Sequence, residues 1–197
     1  MKGKEALGIE GAVLYTPDFQ FDQRGCFVEL FVASAVPGMT VAQMSCSISS
    51  RGVIRGIHVS DVPPGRAKYV LCADGKIMDV VVDLRVGSPT FGQWEAVHLN
   101  SSSWQAVYLA PGLGHAFMAL SHRAVVMYLQ STEYDPAAER AVHPLDTDLR
   151  IEWPLEHHQK PVLSHRDLLA PSLAQALAAG LLPSYEACRA LEAGHGF

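Results

Sequence analysis

Residues 76–99, KIMDVVVDLRVGSPTFGQWEAVHL, carry the clearest signal for the class of fold. The runs KIMDVVVDLR and WEAVHL are rich in β-branched and aromatic residues, which favour extended strands. Between them, VGSPTFG has the glycine, proline and serine that are typical of turns and loops. The stretch therefore predicts two strands joined by a loop, without a helix between them.

Strand-like segments of the same kind recur from about residue 13 to residue 153, which we expect to be the core of the fold. Loop sequences such as ADGK, NSSS, APGLG and SHR separate them, and the region shows almost no helical periodicity. Strands so spaced predict a mainly β fold, an antiparallel sandwich or jelly roll. The remaining predicted strands are CFVELFV, TVAQMSCSIS, AKYVLCA, QAVYLA, HAFMAL and AVVMYLQS.

The last forty residues change to an Ala/Leu-rich pattern typical of helices. Ser172 is a candidate N-cap and Gly180 a candidate stop, and Ser184 begins a second helix that runs through Glu192. We expect residues 165–197 to form a helical appendage on a single domain that spans residues 1–197, not a second domain.

Composition limits the compartment in which the protein acts. Four scattered cysteines form no C-x-x-C pair and lie at no zinc-finger spacing, so free thiols in a reducing cytoplasm are the simplest interpretation. A chain of 197 residues can bury a core without disulfides. The N-terminus lacks the apolar core of a signal peptide, and no apolar run approaches the roughly 20 residues that cross a bilayer. We expect a soluble cytoplasmic protein that does not contact a membrane.

The net charge of −5 argues against a general nucleic-acid binder, which normally carries a basic face. One local anion site remains compatible with this charge. Arg51, Arg55, Arg66 and Lys68 lie close together in a chain with few basic residues. Such a cluster could hold a phosphate or a diphosphate, or it could be an ordinary solvated loop edge.

His58 lies in the strand-like segment VIRGIH. Strict alternation places Ile54, Gly56 and His58 on one face of this strand and Arg55 on the other. A histidine on an apolar strand face is more often a core residue than a functional one. Lys68 in the next strand could point into the same interior, where an unpaired ammonium group would be costly.

A metal site at His58 is a weak interpretation. Metal-dependent cupins usually present two histidines and a glutamate from one hairpin, followed by a later histidine. Here Ser60 stands two residues after His58, and no glutamate occurs before Gly75. His115 could be the later ligand, but two histidines fall short of the three protein ligands of a typical catalytic site. We therefore expect no metal.

Eight segments in order resemble the dTDP-4-dehydrorhamnose 3,5-epimerase family, cupin-like jelly rolls that act on nucleotide-linked 4-keto-6-deoxy sugars. Each is weak alone, and the ordered set, over about residues 21–171, is specific. The segments are FDQRGCFVELF, CSISSRGVIRGIH, PPGRAKYV, GKIMDVVVDLRVGSPTFGQW, GHAFMAL, VMYLQSTEYDP, WP and LSHRDLLAP.

The resemblance implies a catalytic set that needs neither a metal nor an organic cofactor. It makes His58 the base and Asp167 the carboxylate that orients its imidazole. It makes Tyr128 the acid on the opposite face of the sugar ring, and Lys68 the cation beside the C4 oxygen. His115 falls in the active-site motif of the family, which reads HAF here, and is expected to contact the substrate and not to be one of the catalytic residues. Removal and return of a proton next to a ketone inverts the carbon at C3, C5 or both.

The resemblance also implies substrate-binding residues and a partner. Contacts to the sugar diphosphate are expected from Gln43, Ser49 and Arg55. Arg24 and Glu29 resemble residues that reach the nucleotide in a neighbouring subunit, which implies a homodimer with exchanged N-terminal strands. Tyr134, helped by Phe21, resembles an aromatic residue that packs on the thymine base.

Some positions depart from the family pattern. Val59 and Ser60 follow the base where an aromatic residue and a nearby glutamine are common, and Ser45 replaces a common asparagine. We expect these changes to alter how the sugar lies over His58. Together with the Ala-rich composition, they favour an antibiotic deoxysugar pathway. A metal-dependent cupin enzyme and a non-catalytic sugar-nucleotide-binding jelly roll remain as alternatives.

Overall fold

The computed structural model describes residues 1–156 and 160–195 of the chain. The strands are β1 (Gly3–Ala6), β2 (Ala12–Thr16), β3 (Phe19–Asp22), β4 (Gly25–Val28), β5 (Gln43–Ser50), β6 (Ile54–Ser60), β7 (Lys68–Asp74), β8 (Lys76–Asp83), β9 (Trp94–Asn100), β10 (Ala106–Leu109), β11 (Leu113–Ala119), β12 (Arg123–Gln130) and β13 (Glu139–Ala141). The helices are α1 (His165–Leu168), α2 (Leu173–Ala178) and α3 (Tyr185–His195), with a 3-10 turn at Ala33–Ala35.

Two antiparallel sheets form the body of the molecule. One has six strands in the order β1-β2-β10-β7-β12-β5, and the other has five in the order β13-β6-β11-β8-β9. The strands β3 and β4 form a separate two-stranded ribbon. The non-sequential strand order is that of a sandwich in which the chain crosses between sheets, and it confirms the predicted antiparallel jelly roll.

In the five-stranded sheet, the strands β8 and β11 are buried on both faces, which explains the nearly continuous apolar run in β8. Ile77 and Val81 face the main core between the two sheets. Met78, Val80 and Val82 face a second core on the other side of the sheet. Trp153 and residues of α2 complete this second core, so the segment after β13 covers the outer face of the sheet.

The loop VGSPTFG after β8 is held by a buried carboxylate. Asp83 accepts hydrogen bonds from Arg85 Nε at 2.9 Å, Ser88 Oγ at 2.6 Å and Thr90 Oγ1 at 2.6 Å. Arg85 and Asp83 are both fully buried. These bonds hold the pKa of Asp83 below its ordinary value, although burial alone would raise it. The loop that separates the first two predicted strands is therefore fixed by an internal ion pair.

The predicted strands differ from the structure at the N-terminal side. CFVELFV ends as a strand at Val28, because Leu30 and Phe31 pack against the core in a loop whose Leu30 carbonyl accepts the Tyr69 hydroxyl. The strand β1 lies before the predicted core boundary at residue 13, and the strands β2, β3 and β13 also had no sequence prediction.

The C-terminal helices follow the predicted caps. Ser172 and Gln175 form a reciprocal capping box at α2, and Gly180 follows this helix with a φ of 65°. Ser184 accepts a hydrogen bond from the Ala187 N–H at 3.3 Å and so begins α3. This helix continues three residues beyond the predicted Glu192, and residues 196–197 lie outside the described part. Within residues 1–156 and 160–195, the structure contains no helix with the length and apolarity that a bilayer span requires.

Candidate active site

A cavity of about 390 Å³ lies between the two sheets and under α1, within the size range of small-molecule sites. Its wall combines side chains of β5, β7 and β12 from one sheet with those of β6 and β11 from the other. The lining residues are Ser45, Cys46, Ser47, Arg55, His58, Arg66, Lys68, His115, Phe117, Tyr128, Gln130, Tyr134, Glu139, Ser164, Arg166 and Asp167. All four residues predicted to be catalytic are among them.

A β-bulge in β6 places Arg55 and His58 on the same face. His58 pairs with His115 and Arg55 pairs with Phe117, so three steps along β6 oppose two steps along β11. The prediction from strict alternation, which set these two residues on opposite faces, was therefore wrong. Gly56 in the bulge has a φ of 112°, and an added Cβ would lie 2.5 Å from the His115 carbonyl oxygen.

His58 and Asp167 form a direct pair. The Nε2 atom of His58 lies 2.7 Å from Oδ1 of Asp167, and the carboxylate is only 3 % exposed. Ser164 caps α1 by accepting a hydrogen bond from the Asp167 N–H, which fixes the carboxylate over β6. Burial would raise the pKa of Asp167, but the contact with His58, together with hydrogen bonds from Ser164 and the Gly56 backbone, holds this pKa below the ordinary value.

Tyr128 enters the cavity from the sheet opposite to His58. Its hydroxyl lies 3.0 Å from Ser47 Oγ, and its ring meets the His115 ring edge-on at 6.1 Å between centroids. Burial raises the pKa of Tyr128 well above the ordinary value, and the Ser47 bond only partly offsets this effect. The phenol therefore holds its proton firmly across the neutral pH range.

Lys68 lies beside the His58 strand. Its Nζ donates to the backbone carbonyl of His58 at 3.2 Å, and the residue is 6 % exposed. Burial lowers the pKa of Lys68, while the carboxylate of Glu139 acts in the opposite direction. His58 and Lys68 both line the cavity, so the prediction that their side chains point into the same interior is confirmed.

A basic wall surrounds one side of the cavity. Arg66 donates to Glu139 Oε2 at 3.1 Å. Its Cζ atom lies over the ring of Tyr134, 5.4 Å from the ring centroid. Arg166 donates to the Tyr134 hydroxyl at 3.3 Å. Arg51, which the sequence grouped with these cations, instead pairs with Glu156 outside the lining of the cavity.

The predicted binding residues divide into three groups. Arg55, His115 and Tyr134 line the cavity. Gln43 and Ser49 support them from behind, because Gln43 Oε1 accepts the Tyr134 N–H at 2.7 Å and Ser49 Oγ accepts Arg55 Nε at 3.0 Å. The third group lies on the N-terminal ribbon and its following loop, away from this cavity within one chain, and consists of Phe21, Arg24 and Glu29.

His115 is held by a second acid. Its Nε2 lies 2.8 Å from Asp79 Oδ2, and both side chains are buried. This pair sets the orientation of His115 in the cavity wall, next to His58 on the neighbouring strand.

The residues that follow the base do not line the cavity. Val59 is fully buried in the second core, and Ser60 is buried with its hydroxyl donating to Glu139 Oε2 at 3.1 Å. The expectation that these residues alter how the sugar lies over His58 therefore stays a prediction. Ser60 reaches the cavity only through Glu139.

Sequence reasoning missed several residues of the site. Arg166 sits directly before Asp167 in the quoted segment LSHRDLLAP, so its basic side chain was a usable signal. Glu139 and Asp79 carried no local signal, because their roles depend on pairing with β6 and β11. In residues 1–156 and 160–195 we find no group of three or more His, Cys, Asp or Glu side chains arranged to hold a metal ion.

Comparison with known proteins decides the family. The profile of the dTDP-4-dehydrorhamnose 3,5-epimerase family matches residues 6–175. The chain belongs to this family. Membership in the dTDP-4-dehydrorhamnose 3,5-epimerases confirms the predicted resemblance, and it makes the protein an isomerase that acts as an epimerase.

Similar proteins cover nearly the whole chain. A dTDP-4-dehydrorhamnose 3-epimerase from Streptomyces niveus is 51% identical over 94% of this chain and 90% of its own. A 4-keto-6-deoxy sugar epimerase from the novobiocin biosynthetic gene cluster of Streptomyces spheroides has 50% identity and a TM-score of 0.89 over 94% of both chains. A 3'-monoepimerase from Streptomyces bikiniensis, solved with dTDP-quinovose, has 45% identity and a TM-score of 0.91 over 96% of this chain and 97% of its own.

Proposed function

We propose that the protein epimerises a dTDP-linked 4-keto-6-deoxyhexose by removing a proton next to the C4 ketone and returning one on the opposite face. The observation that carries this proposal is the opposition of His58 and Tyr128 across one cavity, from two different sheets. A base and an acid so placed can act on the two faces of a flat enolate.

His58 serves as the base through Nδ1. The Asp167 carboxylate can only accept a hydrogen bond, so His58 Nε2 carries the hydrogen of the 2.7 Å contact. The lone pair of the neutral imidazole is then on Nδ1. When Nδ1 takes the sugar proton, the Asp167 charge stabilises the imidazolium that forms.

Tyr128 and Lys68 complete the reaction. The Lys68 ammonium group stabilises the negative charge that develops on the C4 oxygen, an effect that can be worth about 3–4 kcal/mol. Tyr128 then gives its proton to the carbon on the face opposite to His58. The group needed at each step is supplied by the chain itself.

The diphosphate lies against the basic wall. The cavity is lined by four cationic side chains, from Arg55, Arg66, Lys68 and Arg166, against the carboxylates of Glu139 and Asp167. This excess of positive charge suits a diphosphate that carries two negative charges, and arginine guanidinium groups bind phosphate oxygens in a fork geometry. Tyr134 at the rim, 49 % exposed, offers its ring to the thymine base.

We further propose a homodimer in which the N-terminal ribbon, β3 and β4, reaches the site of the partner. Phe21 is 77 % exposed and Phe27 is 68 % exposed, which is unusual for large apolar side chains on one small ribbon. Arg24 and Glu29, on and just after this ribbon, would then contact the nucleotide in the neighbouring subunit. Sedimentation equilibrium tests the dimer, and a monomer at micromolar concentration would contradict it.

The chain is proposed to act as a single cytoplasmic domain in the deoxysugar branch of an antibiotic pathway. The similarity to the epimerase of the novobiocin gene cluster supports this assignment. Inversion at C3 alone and inversion at both C3 and C5 use the same base and acid, since both carbons flank the C4 ketone.

One incubation tests the proposed reaction. The protein is incubated with dTDP-4-keto-6-deoxyglucose in heavy water, and the deuterium in the sugar is located by NMR. We expect deuterium at C3, at C5 or at both, with inversion at the labelled carbon. Absence of exchange at both carbons would contradict the proposal, and the labelling pattern separates one-site from two-site epimerisation.

A further inference from the structure

The orientation of the Tyr128 hydroxyl is set by a hydrogen bond to a neighbouring strand. In the described part of the chain, Ser47 Oγ is its hydrogen-bond partner, at 3.0 Å. Tyr128 lies directly opposite Ser45 in the pairing of β12 with β5, and Ser47 lies opposite Val126. The phenol thus reaches diagonally across the strand pair to Ser47, a span that a long aromatic side chain can cover.

The surroundings of Tyr128 do not favour a phenolate. Burial raises the pKa of this phenol, and the carboxylate of Asp79 on β8 and the thiol of Cys46 on β5 act in the same direction. Arg55 on β6 acts against them, and the His115 ring of β11 packs edge-on. A phenolate formed here needs a hydrogen-bond donor close to its oxygen.

We propose that Ser47 is a positioning residue for Tyr128, aiming the phenol O–H at the sugar and donating its own O–H to the phenolate that remains. The inference rests on the proposed role of Tyr128 as the acid. In this step the Tyr128 O–H bond breaks and a C–H bond forms with the electron pair of the enolate double bond. The C4 oxygen returns to a carbonyl. Solvent then restores the Tyr128 proton and removes the proton held by His58.

The role of Ser47 predicts a specific change in the products. When proton return by Tyr128 is slowed, His58 still removes the sugar proton and can return a solvent deuteron to the same face. The ratio of exchange with retained configuration to exchange with inversion should therefore rise. A purely structural role for Ser47 would lower both processes together.

The experiment compares four variants with the wild type in heavy water: Ser47→Ala, Ser47→Thr, Ser50→Ala and Tyr128→Phe. Ser50 is the matched control, because it lies on the same strand but is exposed and is not among the residues that line the cavity. We expect Ser47→Ala to invert about 10- to 100-fold more slowly, as for the loss of a hydrogen bond to a charged group. Its exchange with retention should persist, and Ser47→Thr should restore inversion because it keeps the hydroxyl.

The outcomes separate the two claims. Full inversion by Tyr128→Phe would overturn the proposed acid and the inference that rests on it. Loss of inversion in Tyr128→Phe, with a wild-type ratio of retention to inversion in Ser47→Ala, would overturn the role of Ser47 alone. An equal loss of inversion in Ser47→Ala and Ser47→Thr would also overturn the role of Ser47, because the packing of the side chain and not its hydroxyl would then matter. A ratio of retention to inversion that rises as much in Ser50→Ala as in Ser47→Ala would have the same consequence.

Discussion

His58 and Asp167 are 109 residues apart in the chain, and their side chains meet at 2.7 Å in the wall of the cavity. The strand β6 supplies the imidazole, and the single turn of α1, capped by Ser164, supplies the carboxylate. This contact fixes which nitrogen of His58 carries the hydrogen, and so it determines which nitrogen can act as a base.

Replacing Asp167 by asparagine should lower turnover far more than it weakens binding. The asparagine amide can donate to Nε2, which favours the wrong imidazole tautomer and removes the charge that stabilises the imidazolium. We expect kcat to fall about 10²- to 10⁴-fold with KM nearly unchanged, as steady-state kinetics would measure. Asp61→Asn is the control, because Asp61 pairs with Arg140 outside the cavity lining. Equal kcat values for the two variants would contradict the role of Asp167.

Lys68 should determine an alkaline limb in the pH profile of kcat. Burial lowers its pKa from the ordinary value of 10.5, so the ammonium charge is lost at a lower pH than in a free lysine. Turnover should fall as the pH rises through this lowered pKa. Lys68→Ala should reduce kcat about 10²- to 10³-fold at neutral pH. In Lys68→Arg the side chain stays charged, so the alkaline limb of kcat should move to higher pH. A rise in KM without a fall in kcat in Lys68→Ala would point to a binding role for Lys68.

The bulge at Gly56 should tolerate no side chain. An added Cβ would meet the His115 carbonyl oxygen at 2.5 Å and Ala116 Cα at 2.8 Å, both backbone atoms that cannot move cheaply. Gly87→Ala is the matched control, since Gly87 also has a positive φ, 91°, with nothing within 4 Å of the added Cβ. We expect Gly87→Ala to lower the free energy of unfolding by about 1–2 kcal/mol, as urea titration would measure. Gly56→Ala should lower it by more and should also abolish turnover. Equal costs would contradict the close approach of the two strands.

Asp83 should contribute to stability and not to catalysis. Asp83→Asn leaves Arg85 buried without its charge partner, so we expect a loss of about 3–5 kcal/mol in the free energy of unfolding at neutral pH. The pKa of Asp83 is lowered by folding, so its contribution is present above its ordinary pKa and is lost as the pH falls through the folded value. The difference in the free energy of unfolding between Asp83→Asn and the wild type should therefore become smaller below about pH 4.

Asp74→Asn is the control for Asp83, because Asp74 and its partner Arg123 are both about half exposed. It should change stability by no more than about 0.5 kcal/mol. Urea titrations of the two variants at neutral and acid pH give the comparison. If the free energies of unfolding of Asp83→Asn and the wild type differ by the same amount at neutral pH and at pH 3, the assigned charge state of Asp83 is contradicted.

The sequence was most informative where a signal is local. The turn residues of VGSPTFG and the caps at Ser172 and Ser184 depend on neighbours in the chain, and the structure places them as predicted. The side on which Arg55 lies depends on the register of β6 against β11, a long-range property that strict alternation cannot supply. Glu139 and Asp79 were missed for the same reason. The catalytic candidates came from the ordered family motifs and not from any single residue.

The central claim is that His58 removes the sugar proton, and His58→Ala tests it most directly. The variant and the wild type are incubated with dTDP-4-keto-6-deoxyglucose in heavy water, and binding of dTDP is measured by calorimetry. The account predicts that His58→Ala binds dTDP with wild-type affinity and incorporates no deuterium at C3 or C5. Deuterium incorporation at the wild-type rate by a variant that still binds dTDP would contradict it.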